Sequence, residues 1–121
     1  MLPTLRSPRY ELAAARRSQI EIGTSCARRA CAVLGGNEAA ARRHINRLFK
    51  SLTAADFAHV QLMRPKAGPA IHADVYGKRD EYAVWFIKFI YDGKTTTVIM
   101  SCHEAEQPIE LADGRTLRNR A

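Results

Sequence analysis

The sequence predicts an α+β fold, with N-terminal helices packed on a small antiparallel sheet. Apolar residues recur at helical spacing before residue 53, as in Ala41, Ile45, Leu48, Phe49 and Leu52. After residue 70 the pattern changes to β-branched and aromatic runs, Tyr82 to Tyr91 and Lys94 to His103, which flank Asp92-Gly93. Helices first and strands after is the order of an α+β chain. With 121 residues, the chain is long enough for one domain with a substantial core.

Each element has its own signal. Ser7-Pro8 is a good N-cap and first-position pair and predicts a helix over residues 8–18. Thr24 or Ser25 caps a second helix, Cys26 to Leu34, which Gly35-Gly36 ends. Asn37 caps a third, from Glu38 to about residue 52. Thr53 and Asp56 have the spacing of a capped short turn that presents Phe57 to the core. Residues 63–68, MRPKAG, read as a basic loop, and residues 71–76 as a strand. Asp92-Gly93 suits a two-residue type I′ turn between the two long strands. The closing PIELADGRTL predicts a small hairpin about Asp113-Gly114 or an extended tail, with residues 118–121 fraying.

Charge is unevenly placed. Residues 1–50 hold ten Lys/Arg against three acids, and residues 51–121 hold nine of each, so the net +7 lies in the first fifty. Nine of those ten bases are arginines, whose planar fork suits phosphate or carboxylate. A polyanionic partner is therefore expected, either nucleic acid or an acidic protein. Arg42, Arg43 and Arg47 lie off the apolar stripe of the third helix and form its polar flank. No apolar run approaches the ~18 residues of a membrane span, and the N-terminus lacks the apolar core of a secretory signal. Three cysteines, an odd number, read as free thiols in a reducing cytoplasm. Cys26 and Cys31, five apart on a helix, point about 140° apart and argue against a shared metal.

A two-residue turn at Asp92-Gly93 would set Lys88 opposite Thr97, Phe86 opposite Ile99, Val84 opposite Ser101 and Tyr82 opposite His103. Tyr82, Lys88, Ser101 and His103 would then share one face. A lysine in the most apolar strand implies that this face is partly open. Lys, Tyr and His together make it the candidate site.

The order of the motifs is informative. SLTAADF, a basic loop, ADVYG, an apolar strand with FIKF and a last strand ending MSCHE succeed one another. Over residues 27–106 this resembles the MqsR family of toxin–antitoxin toxins, in which a "DF" turn, a "DVY" strand, a "YxKF"-like strand and a strand ending "SF" or "SC" occur in that order. The resemblance implies a RelE-like fold and metal-free cleavage of single-stranded mRNA without a small-molecule cofactor. It also implies a cognate antitoxin as partner. The family's catalytic lysine two residues after the Phe of "DF" falls on His59. Its lysine after the last strand's "SF" falls on His103. Its glutamine before "DVY" falls on Ala73, and its tyrosine before the strand lysine falls on Phe86 when Lys88 anchors the match.

The residues present suit that chemistry. His59 and His103 can divide the acid and base roles, because imidazole titrates near neutral pH. Lys88, Arg64 and Lys66 are candidates to neutralise phosphate charge, and Tyr82 to orient His103 or stack on a base. Arg42, Arg43 and Arg47 are candidate RNA contacts. Two other readings stay open: a nucleic-acid-binding module without catalysis, and a RelE-fold toxin whose target is a protein such as DNA gyrase.

Overall fold

The computed structural model describes residues 7–64 and 66–119. It is an α+β structure built on an open five-stranded sheet, mostly antiparallel. Element order is α1 (Leu12–Arg17), β1 (Gln19–Ile22), α2 (Thr24–Leu34), α3 (Glu38–Lys50), a 3-10 turn (Ala54–Asp56), β2 (Phe57–Met63), β3 (Ile71–Arg79), β4 (Val84–Tyr91), β5 (Thr96–Glu104), β6 (Ile109–Glu110) and β7 (Thr116–Leu117). The strand order is β1-β5-β4-β3-β2, and β1 runs parallel to β5. The last two strands form a separate small hairpin about Asp113-Gly114, one of the two expected arrangements.

The helices cover one face of the sheet. Ala41, Ile45, Leu48 and Phe49 of α3 and Cys26 and Ala30 of α2 meet Tyr76, Trp85, Ile87, Phe89, Ile99 and Cys102 from the strands. Asn37 caps α3 as expected, its side chain accepting from the Ala40 amide at 2.8 Å. Thr53 and Asp56 form the expected capping box, which delivers Phe57 into the core.

The first helix is shorter than Ser7-Pro8 suggested. Arg9 and Tyr10 are pinned to the sheet because their amides donate to the buried carboxylate of Asp74 at 2.8 and 2.9 Å. The Tyr10 hydroxyl donates to the His72 carbonyl at 2.6 Å. Helix α1 therefore starts only at Leu12. Burial pushes the Asp74 carboxyl above the usual range, although the two amides and Arg9 oppose the shift.

Two strands escaped the sequence reading. β1 is the four-residue QIEI, and β2, Phe57–Met63, fills the stretch between the expected turn and the expected loop. His59 consequently lies on a strand.

The β4–β5 connection is longer than a two-residue turn. The Asp92 amide donates to the Thr96 carbonyl, and Asp92 Oδ1 accepts from the amides of Lys94, Thr95 and Thr96 at 2.7 to 3.1 Å. Tyr91 therefore pairs with Thr97, a displacement of three residues. A bulge leaving Met100 without a partner displaces the remainder by one more. Lys88 then faces Ser101 and Phe86 faces His103. The total displacement is even, so parity is restored and His103 still shares a face with Lys88.

On the sheet's other face the C-terminal segment supplies a second, smaller core. Ala105, Ile109 and Leu111 pack on Ala58, Val75 and Val84. The segment is fastened at its middle and at its end. The Ala112 amide donates to the Phe57 carbonyl at 2.9 Å, and the Asn119 side chain accepts from the Val84 amide and donates to the Val84 and Ala105 carbonyls. Asn119 is thus anchored where fraying was expected, and residues 120–121 lie outside the described residues. Gly77 lets Ile109 approach: a Cβ there would lie 3.0 Å from Ile109 Cγ2. Gly77→Val should therefore cost about 1–3 kcal/mol by overpacking. Urea denaturation would measure that cost, and faster amide exchange in residues 105–119 would locate it.

Candidate functional site

Residues paired across a sheet share a face, so the register fixes the layout. His59 pairs with Val75, Val75 with Lys88 and Lys88 with Ser101, which makes one row across four strands. Gly77, Phe86 and His103 make the next. Both rows lie on the face opposite the helices.

Over these rows the C-terminal segment leaves an open cleft of about 680 Å³. Ala58, His59, Phe86 and His103 line it from the sheet side. Ala105, Glu106, Gln107, Ile109, Glu110 and Leu111 line it from the segment. The two sequence-predicted histidines thus meet in one cavity. Strands β2 and β5 are three interstrand spacings apart, about 14 Å, and His103 lies one row beyond that of His59, so the two imidazoles stand on opposite sides of the cleft.

The rings differ in setting. His103 stacks on Phe86 with centroids 5.1 Å apart and planes 15° apart. Its Nδ1 lies 2.9 Å from the Glu104 carbonyl, which can only accept, so Nδ1 carries the proton. Nε2 is then the nitrogen that gains or loses a proton. His59 is exposed on its outer side, yet the cleft walls desolvate its ring, and burial holds its pKa below the ordinary 6.5. It is kept neutral and able to accept a proton.

Other candidates lie elsewhere. Lys88 shares the face, half-buried in the row of His59, but does not line the cleft. Tyr82 does not face His103. Strand β4 starts at Val84, and Tyr82 lies in the preceding turn with its ring edge-on to His44 of α3, 5.3 Å away on the helical side. Arg64 and Lys66 are exposed in the β2–β3 connection, at least about 16 Å along the strand from His59. Arg42 is half-buried and donates to the Ile22 carbonyl, with Thr24 Oγ1 at 3.4 Å, so it ties α3 to the end of β1. Arg43 and Arg47 are exposed on α3, on the face away from the cleft. The exposed arginines of α3 and the cleft therefore lie on two separate faces.

Sequence reasoning missed the segment's contribution. Gln107, Glu106 and Glu110 reach the cleft because the terminal hairpin folds over the sheet. Glu106 is engaged by Arg29 of α2 at 3.3 Å. The one local hint was Gly77 inside a strand, which marks a close approach of other chain.

No group of three or more His, Cys, Asp or Glu among the described residues is arranged to hold a metal ion. Cys26 and Cys102 are buried, Cys31 is half-buried, and all three are free thiols. No helix among the described residues is long and apolar enough to cross a membrane. Compared with protein-family models, curated proteins and solved structures, the chain matches none.

Proposed function

We propose that this chain is a metal-independent endoribonuclease with a RelE-like fold, acting on single-stranded mRNA as the toxin of a toxin–antitoxin pair in the cytoplasm. The observation that carries the reading is the placement of His59 and His103 in one cleft. In the proposed reaction His59 takes the proton of the ribose 2′-OH, and the 2′-oxygen attacks phosphorus. The bond from phosphorus to the 5′-oxygen breaks, and His103 Nε2 gives its proton to that leaving oxygen. The products are a 2′,3′-cyclic phosphate and a free 5′-OH, and the two histidines have exchanged protonation states.

The roles follow from the settings. The desolvated His59 favours the neutral form that a base needs. His103 keeps its Nδ1 proton on the Glu104 carbonyl in both charge states, so Nε2 is the donor. Lys88, two strands from His59 in the same row, would meet a flanking phosphate. Phe86 forms an apolar wall under His103. The test is cleavage of an unstructured RNA by the purified chain in excess EDTA. Cutting should persist, and a 2′-deoxy substitution at the scissile nucleotide should abolish it. RNA left intact in both EDTA and added Mg²⁺ would remove the nuclease reading.

A second reading has an observation of its own. The exposed bases Arg43, Arg47 and Lys50 follow one another at helical spacing on α3, and no ion pair engages them among the described residues. A nucleic-acid-binding module without catalysis would use that face alone. It predicts salt-dependent RNA binding with no cleavage.

A further inference from the structure

Tyr82 is 53% exposed, yet it is firmly held. Asp80 fixes its turn: Oδ1 accepts from the amides of Tyr82 and Ala83 at 2.8 and 3.0 Å, and Oδ2 lies 2.8 Å from His44 Nε2. His44 in turn backs the Tyr82 ring edge-on, with centroids 5.3 Å apart and planes 84° apart. The Asp80 carboxyl sits below its usual range. Burial pushes it up, but the neighbouring Trp85 indole, the two amides and His44 outweigh that. The Trp85 Nε1 itself is buried near this carboxylate without a hydrogen bond of good geometry. An exposed aromatic ring backed by a histidine that a carboxylate holds in place is preorganised to receive a flat partner.

The surroundings say what kind. Around α3, Arg47 follows His44 by three residues, about 5–6 Å between Cβ atoms, and Arg43 lies about one further turn-step round. Both are exposed, and neither is in an ion pair among the described residues. Glu81, also exposed, occupies the turn beside Tyr82 and would turn a phosphate away, toward the arginines. Aromatic rings flanked by arginines are how single strands are gripped, with bases on the ring and phosphates on the guanidinium groups.

We propose that Tyr82 with Arg47 and Arg43 forms a second binding site, on the helical side of the sheet, for single-stranded nucleic acid. One base stacks on Tyr82, and the adjoining phosphates lie on Arg47 and Arg43. The site is distinct from the cleft and does not depend on cleavage there. In a nuclease it would hold the strand on the face away from the histidines; without cleavage it would be the whole binding site.

The test uses a fluorescein-labelled oligo(dT) of about eight nucleotides, within the range of common single-strand sites. It lacks the 2′-OH, so binding is read without turnover, by anisotropy at low salt. Wild type should bind. Tyr82→Ala should weaken binding about tenfold and Tyr82→Phe should keep it, because stacking needs the ring and not the hydroxyl. Arg43→Ala/Arg47→Ala should weaken binding and flatten its salt dependence by about two phosphates. Absence of binding, or a folded Tyr82→Ala that binds as wild type, overturns the proposal. So does displacement of the oligonucleotide by polyglutamate with no effect of Tyr82→Ala, which would assign the arginines to an acidic protein. Binding that depends on Tyr82 in a chain that cuts no RNA supports this site and removes the nuclease reading.

Discussion

His103→Ala should lower single-turnover cleavage of an unstructured RNA by about 10²–10⁴-fold, with the fold unchanged by circular dichroism. His59→Ala should lose a comparable amount. A site on a mobile loop would have tolerated loss of His59 better, but this residue is held on β2 in pairing with Val75, as His103 is held on β5 in pairing with Phe86. The double variant should fall short of the product of the two losses, since acid and base act in one transition state. The pH profile is more specific still. Burial lowers the His59 pKa, so the base remains neutral further into acid, and the acid limb of kcat/KM should fall below the ordinary 6.5. His59→Ala should erase that limb. The sign for stability is the same: a depressed histidine favours the folded state above its unfolded pKa, and that contribution is lost as pH falls through the folded value. A folded double variant that cuts at the wild-type rate would end the histidine mechanism.

The face shared by His103 and Lys88 was legible in the sequence for a partly fortuitous reason. Asp92-Gly93 marked the turn correctly, but Asp92 spends its carboxylate on three following amides and lengthens the loop. The bulge at Met100 then reverses parity once more. Nothing local encodes that bulge. Strand β2 was missed because FAHVQLM follows a capped turn and alternates only from His59 onward, which leaves it short of a clear period. Its identity as a strand comes from pairing with β3, a contact that arises only in the folded chain.

Charge was legible as an amount and not as a place. The arginine excess sits in the helical half, as counted, but the helices cover the sheet face opposite the cleft. Arg42 then turns inward to the Ile22 carbonyl, while Arg43 beside it stays in solvent. Tyr82 moved for a similar reason. Asp80 closes the β3–β4 turn through the Ala83 carbonyl and amide, so Tyr82 falls outside the ladder and onto α3. Periodicity identifies faces inside a strand, but it says nothing once the chain turns.

The assignment of faces has a large and direct consequence at two consecutive residues. Phe89→Ala should destabilise the protein by about 3–5 kcal/mol, a large share of the roughly 5–15 kcal/mol that holds a domain folded. Phe89 is wholly buried, meets the Phe49 ring edge-on at 4.9 Å, stacks on Tyr76 at 5.6 Å and lies 6.2 Å from Tyr10. Its removal opens a cavity where α3, β3 and the pinned N-terminal segment converge, and none of the three is free to collapse into it. Lys88, one residue earlier, projects from the opposite face between Val75 and Ser101. Its stem lies on the sheet and its ammonium reaches water, so Lys88→Ala should cost less than about 1 kcal/mol. Urea denaturation of both variants measures the contrast. Equal losses, or a larger loss at Lys88, would mean that β4 presents the other side to the helices. His103 and Phe86 would then be core residues, and the cleft would not be a site.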